Sequence, residues 1–156
     1  YFRTHYCAGN KEFEKSDEEV KDGMDISLVV MNKLKNEIQW AGANNPLWIF
    51  QSSSKNIIEI KGDKQPIGMH VNNDMYTNHT LSIEKNDLLV LFTDGYADQF
   101  GGVNGKKFMS GKFKKLLLDS CEQPVCDIHT KIIQTFTDWK LEEEQIDDVC
   151  VLMFKI

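Results

Sequence analysis

Acidic residues stand next to two of the most apolar segments of this chain. Asp94-Gly95 comes directly after the apolar run 87–93, and Asp147 comes directly before the closing run 148–156, of which Asp148 is the first residue. An acid at the end of a buried strand is held by a rigid element, and Gly95 lets the backbone turn sharply. If the two runs form neighbouring antiparallel strands, Asp94 and Asp147 converge at one rim of a sheet. Carboxylates placed in this way suit hard cations such as Mg²⁺ or Mn²⁺.

Each acidic motif also has a purely structural interpretation. Asp-Gly after a strand is common turn chemistry, and Asp-Asp before a strand is compatible with a solvated loop. Cys121, Cys126 and His129 lie close together in the sequence and suggest a second metal site. The chain lacks the second pair of ligands that a zinc site of this spacing requires, so reduced, partly buried thiols are the better interpretation.

Composition restricts the classes of protein and partner. The 156 residues include 18 Lys and Arg against 24 Asp and Glu, which gives a net charge of −6. Such a charge repels phosphate backbones and argues against nucleic acid as a partner. The sequence has neither a run of about 20 apolar residues nor an apolar leader, so it predicts no membrane segment and a cytoplasmic protein. The length fits one domain, 1–156.

The elements that position these acids follow from local pattern. Residues 1–15 are expected to form a frayed helix followed by a loop, and 61–78 a long loop. Helical spacing of apolar residues predicts helices over 108–118 and 124–139, with Pro124 in a first turn. Alternating or β-branched composition predicts six or seven strands, with the run at 25–31 buried on both faces and the run at 87–93 central. The predicted strands are 25–31, 37–43, 47–50, 56–60, 80–83, 87–93 and 148–156. Strands joined mostly by short turns, followed by two helices and a strand, indicate an α+β fold.

The order of the motifs resembles the PPM superfamily of metal-dependent protein phosphatases, in the branch typified by the stage II sporulation protein E phosphatase domain. The resemblance runs from about residue 20 to the end of the chain, and in combination its motifs are specific. Its segments are Asp25-Ile-Ser-Leu-Val-Val, Trp40-Ala-Gly-Ala-Asn-Asn-Pro46, Pro66-Ile-Gly68, Leu91-Phe-Thr-Asp-Gly-Tyr-Ala-Asp98 and Gln145-Ile-Asp-Asp-Val-Cys-Val151.

The resemblance implies an α-β-β-α sandwich of antiparallel sheets flanked by helices. It further implies hydrolysis of phosphoserine or phosphothreonine in a bacterial signalling partner, with two Mn²⁺ or Mg²⁺ ions in the complete domain. Asp94 and Asp147 carry over as catalytic metal ligands, and Gly95 carries over as the turn residue of the metal motif. Asp148 belongs to the same metal motif, and either acid of the pair Asp147-Asp148 is able to face the site. Asp98 and Asn44 are at best candidates for residues that support the metal ligands, and a purely structural role is the better interpretation of each.

Two departures from the family pattern matter. The family's N-terminal Asp-x-(Ser/Thr)-Gly-His-Gly motif has no match in this sequence. In the hairpin motif, Asn44-Asn45 stands where the family has His-Asn. The first departure leads us to expect a C-terminal part of a larger domain, whose parent chain carries sensor or regulatory domains. The alternative is a catalytically inactive phosphatase-like module that regulates or binds a partner.

Overall fold

The computed structural model describes residues 23–68 and 74–156, so the expected N-terminal helix at 1–15 lies outside the described residues. The described part contains eleven strands and three helices. The strands are β1 (Gly23–Met24), β2 (Ile26–Asn32), β3 (Glu37–Ala43), β4 (Leu47–Phe50), β5 (Ile57–Ile60), β6 (Ile67–Gly68), β7 (His79–Ser82), β8 (Leu88–Phe92), β9 (Phe100–Gly101), β10 (Lys106–Lys107) and β11 (Val151–Lys155). The helices are α1 (Gly95–Asp98), α2 (Ser110–Leu118) and α3 (Val125–Lys140).

The larger sheet has four strands in the order β11-β8-β4-β5, and all neighbours are antiparallel. All five residues of β8 are buried, as expected for an apolar strand with a neighbour on each side. Val151 of β11 pairs with Phe92 of β8, and Leu47 of β4 pairs with Leu91. The prediction that 87–93 forms a central strand is confirmed.

The second sheet has three strands in the order β2-β3-β7, again antiparallel. The predicted hairpin of 25–31 with 37–43 is confirmed, and its register pairs Ile26 with Ala43. The prediction that its first strand is buried on both faces is wrong, because Val30 is 57% exposed. Among the described residues β2 lies at the edge of its sheet, and β-branched composition alone does not reveal how many neighbours a strand has.

The two sheets and the helices form successive layers. Apolar residues of β3, β4 and β8 make one core between the sheets, around Trp40, Ile49 and Leu89. On the opposite face of the larger sheet, Trp48 and Val90 pack against residues of α2 and α3 in a second core. Burial of these faces is the main force that holds the layers together. The α+β fold with antiparallel sheets is confirmed.

Several boundaries differ from the predictions for local reasons. Helix α2 begins at Ser110 rather than 108, because Phe108 donates its N–H to the Gln99 carbonyl oxygen at 2.9 Å and Met109 has a φ of 76°. The predicted helix at 124–139 is confirmed as Val125–Lys140, directly after Pro124. The expected loop 61–78 contains β6, which pairs with β1.

Among the helices described for 23–68 and 74–156, none combines the length and apolarity needed to cross a bilayer.

Candidate metal centre

The carboxyl end of β8 and the amino end of β11 meet at one edge of the larger sheet, here called the rim. Beyond the last paired residues, Thr93 donates its N–H to the Cys150 carbonyl oxygen at 3.0 Å. The Thr93 hydroxyl donates to the Asp148 carbonyl oxygen at 2.7 Å and accepts the Cys150 N–H at 2.9 Å. Strand β11 begins only at Val151, so it is shorter than the predicted 148–156. The bonds of Thr93 place the two acid-bearing segments side by side.

Asp94 occupies the position just before the short helix α1. Asp98 donates its N–H to the Asp94 carbonyl oxygen at 2.9 Å, and the Asp94 carboxylate makes no capping bond to the helix. Helix α1 is bound to α3, because the buried Tyr96 hydroxyl donates to the Ile132 carbonyl oxygen of α3 at 2.9 Å. Asp94 therefore stands on a rigid turn with its carboxylate not used by the helix.

Burial raises the pKa of Asp94 above its ordinary value of 3.8, and the negative charge of Asp147 raises the pKa further. Asp98 and Asp25 add smaller contributions in the same direction. The segments that carry Asp94 and Asp147 thus lie side by side at the rim, and the charge of Asp147 acts on the Asp94 carboxylate. Asp94 is nevertheless exposed to solvent, so a cation can reach its carboxylate, and a carboxylate crowded by like charges is stabilised by a cation.

Gly95 permits the close approach of the two segments. A β-carbon at this position would lie 2.5 Å from the Asp148 carbonyl oxygen, a backbone atom that has little room to move. The structure therefore gives Gly95 a steric role beside the metal motif.

The two adjacent acids of the second motif differ in their contacts. The Asp147 carboxylate accepts the Asp148 N–H at 2.7 Å, whereas the Asp148 carbonyl oxygen accepts the Thr93 hydroxyl at 2.7 Å. Both residues are exposed. The backbone of Asp148 thus fixes the segment to β8, and Asp147 is the acid whose charge acts on Asp94.

Asp25 is a further acid near the rim, and its place there was not predicted. It directly precedes β2, and its carboxylate accepts the Asn44 side-chain N–H at 2.7 Å just after β3. Because β2 and β3 are antiparallel, the start of β2 lies beside the end of β3, just as the start of β11 lies beside the end of β8. The signal was available in the sequence, since Asp25 and Asn44 flank the two strands of the predicted hairpin. Asn44 therefore supports Asp25 rather than Asp94 directly.

Asp98, the other predicted supporting residue, forms an ion pair with Lys107 of β10 at 2.7 Å. The side chains of both residues are partly exposed, so the pair contributes little stability by itself. Its consequence is local, because it ties the β9–β10 hairpin to the end of α1.

Possible metal-ligating side chains do not cluster in the part of the chain that the structure describes. Within 23–68 and 74–156, no three His, Cys, Asp or Glu side chains are close enough together to hold a metal ion. Cys121 is partly buried as expected, but the expectation of partly buried thiols is wrong for Cys126, which is exposed in the first turn of α3.

The comparisons with known proteins identify the family and the fold. The profile of the stage II sporulation protein E (SpoIIE) family matches residues 10–156. The SiaA-PP2C domain of Pseudomonas aeruginosa is 29% identical with a TM-score of 0.75, and the match covers 85% of this chain and 51% of that one. A comparison with curated proteins gave no match.

More distant structures share the fold. The manganese-presoaked phosphatase domain of SpoIIE from Bacillus subtilis is 13% identical with a TM-score of 0.61, over 85% of this chain and 56% of that one. The serine/threonine phosphatase PstP/Ppp of Mycobacterium tuberculosis is 11% identical with a TM-score of 0.56, over 84% and 59%. The chain thus spans about half the length of these phosphatase domains. It belongs to the SpoIIE family of PPM-type (PP2C-type) phosphatase domains.

Proposed function

We propose that the rim of Asp94 and Asp147 binds Mn²⁺ or Mg²⁺ in a protein phosphatase that acts on phosphoserine or phosphothreonine. The observation that carries this proposal is the antiparallel pairing of β8 with β11, which brings the two acids close enough for one charge to raise the pKa of the other. The substrate is a phosphorylated protein in a bacterial signalling system, and a cytoplasmic location is expected.

The residues at the rim fit such ions by their chemistry. Asp94 and Asp147 offer hard oxygen ligands, which Mg²⁺ and Mn²⁺ prefer, and Asp148 offers another carboxylate next to them. When bound, the ions supply an activated water and neutralise charge on the phosphoryl group. The chain itself orients the acids, through the Thr93 bonds to the β11 side and through the turn at Gly95.

The described residues support only part of the site, and we propose that the remaining carboxylates come from an N-terminal part of the same domain. The chain covers 51% of the SiaA domain, which leaves room for such a part. Sensor or regulatory domains in the parent protein are also proposed. Their support is a solved structure of SpoIIE from Bacillus subtilis that contains its PP2C phosphatase domain together with a fragment of its regulatory domain.

A non-catalytic module on the same scaffold is the second candidate. The observation in its favour is that the described residues bring no three metal-ligand side chains together. Such a module would regulate or bind a partner protein, and its rim acids would serve as surface charges.

Hydrolysis by the complete domain separates the two candidates. We expect Mn²⁺-dependent hydrolysis of p-nitrophenyl phosphate and of a phosphoserine peptide. Asp94→Asn and Asp147→Asn should each lower kcat/KM by at least about a hundredfold, since changes even outside the direct ligands cost about 10–100-fold. Asp119→Asn, at an exposed acid after α2, serves as the control. Full activity in both rim variants would refute the site, and no metal-dependent activity in the wild type would favour the non-catalytic module.

A further inference from the structure

The segment that carries Asp147 and Asp148 has little apolar burial to hold it. Residues 141–148, here called the acid loop, connect α3 to β11, and all eight are exposed. Its ends are bound to neighbours: the Lys140 ammonium donates to the Glu143 carbonyl oxygen at 2.6 Å, and Thr93 holds Asp148. A loop of this kind keeps one conformation only if specific bonds also fix its middle.

Gln99 provides such a bond from a buried position. It follows α1 directly and is 0% exposed, and its Nε2 donates to the Glu144 carbonyl oxygen at 2.9 Å and to the Phe100 carbonyl oxygen at 3.0 Å. One side-chain amide therefore joins the middle of the acid loop to the segment that begins with Asp94.

Gln99 is itself held firmly. Its backbone carbonyl oxygen accepts the Phe108 N–H at 2.9 Å and the Trp139 indole N–H at 3.1 Å. Trp139 also packs on the hairpin that follows, where its carbonyl oxygen accepts the Gly102 N–H at 2.8 Å. Gln99 therefore has little conformational freedom, and its side chain links the position of the acid loop to that of α1.

The other atom of the same amide shows that packing alone does not explain this residue. With both Nε2 hydrogens directed at carbonyl oxygens, the orientation of the amide is set, and Oε1 is buried without a hydrogen-bond partner among the described residues. A buried, unpaired acceptor is unfavourable, and an apolar side chain of similar size would avoid it. The amide is therefore explained by the bonds it donates.

We propose that Gln99 is a positioning residue for the metal centre, which fixes the acid loop so that Asp147 faces Asp94. This inference rests on the proposed function for its consequence, because a displaced Asp147 weakens a shared cation. It also makes a structural claim that needs no metal, namely that the acid loop opens more often when the Gln99 amide is lost.

Gln99→Met tests the proposal against a matched control, Gln65→Met. Gln65 is also buried, and its Nε2 also donates to a backbone carbonyl oxygen, that of Asp74, at 2.8 Å. Both substitutions remove an amide of the same size, but only the first removes a bond to the acid loop. Gln65 Oε1 also accepts the Asp74 N–H at 3.2 Å, so the control substitution removes bonds of a buried amide on both sides without touching the acid loop.

The readout is cleavage of the folded chain by a glutamate-specific protease, with the cut sites located by mass spectrometry. The acid loop contains Glu142, Glu143 and Glu144, so its opening is reported directly. Gln99→Met should raise cleavage within the loop about three- to tenfold, the effect of losing one net hydrogen bond, because cleavage tracks the population of the open form. Equal loop cleavage in the two variants would overturn the proposal.

A second readout uses Mn²⁺ alone, added to the same chains and followed by paramagnetic broadening of the Asp147 amide signal. Gln99→Met should weaken this binding about three- to tenfold, whereas Gln65→Met should leave it unchanged. Unchanged Mn²⁺ affinity in Gln99→Met would also overturn the proposal. If Mn²⁺ does not bind the wild-type chain, the proposed metal centre fails in this chain, while the cleavage comparison still decides whether Gln99 holds the acid loop.

Discussion

Replacement of Thr93 by valine should loosen the rim without changing any acid. Valine has nearly the same shape and suits an extended backbone, but it can neither donate to the Asp148 carbonyl oxygen at 2.7 Å nor accept the Cys150 N–H at 2.9 Å. Each lost hydrogen bond costs about 0.5–1.5 kcal/mol, and water at this exposed edge replaces part of it. The expected loss in the free energy of unfolding is therefore about 1–2 kcal/mol. For a chain of this size that loss lowers Tm by about 2–8 °C.

Urea unfolding and thermal unfolding, followed by circular dichroism, measure this effect. The matched control is Thr80→Val, at an exposed threonine of β7, where the same substitution should be neutral or slightly stabilising. Amide hydrogen exchange of Cys150 gives the local readout, because its N–H loses its partner in Thr93→Val. If Thr93→Val and Thr80→Val have the same stability and the Cys150 amide exchanges as in the wild type, the account of the rim is refuted.

Three further variants test other parts of the structure. Gly95→Ala places a β-carbon 2.5 Å from the Asp148 carbonyl oxygen and should lower the free energy of unfolding by about 1–3 kcal/mol. The control Gly111→Ala, with open space around it, should be neutral or stabilising. Equal urea midpoints of the two variants would contradict the close approach. Asp94→Asn should raise the Tm of the metal-free chain at pH 7, because a raised folded-state pKa means that the ionised acid opposes folding. The gain should disappear as the pH falls to the ordinary carboxyl pKa of 3.8, and a gain that persists there would contradict this electrostatic cause. Phe113→Ala should cost about 3–5 kcal/mol, because this fully buried ring contacts the Trp48, Phe92 and Tyr96 rings; a loss under about 1 kcal/mol, measured by urea unfolding, would contradict the core.

Sequence patterns predicted the elements whose information is local. The predicted bounds of β8 and α3 are close to the observed ones, because the apolar pattern of each element is visible within its own sequence. The closeness of the segments that carry Asp94 and Asp147 was also predictable, because it needs only the ends of two strands and their antiparallel pairing.

Features that depend on distant neighbours were not predictable in the same way. The two-residue pairing of β1 with β6 leaves no periodic pattern, and the burial of β2 depends on which strands lie beside it. Gln99 has the composition of a surface loop residue, and only the packing of the acid loop and Trp139 over it makes it buried. Such residues are set by tertiary contacts that local propensity does not encode.

Mn²⁺ binding to the chain and to its rim variants is the most direct test of the central claim. In the wild type, added Mn²⁺ should broaden the amide signals of Asp94, Gly95 and Asp147 before those of the rest of the chain. Asp94→Asn and Asp147→Asn should each abolish that selective broadening, while Asp119→Asn should retain it. Broadening that centres elsewhere, or that survives both rim substitutions, would contradict a metal centre shared by Asp94 and Asp147.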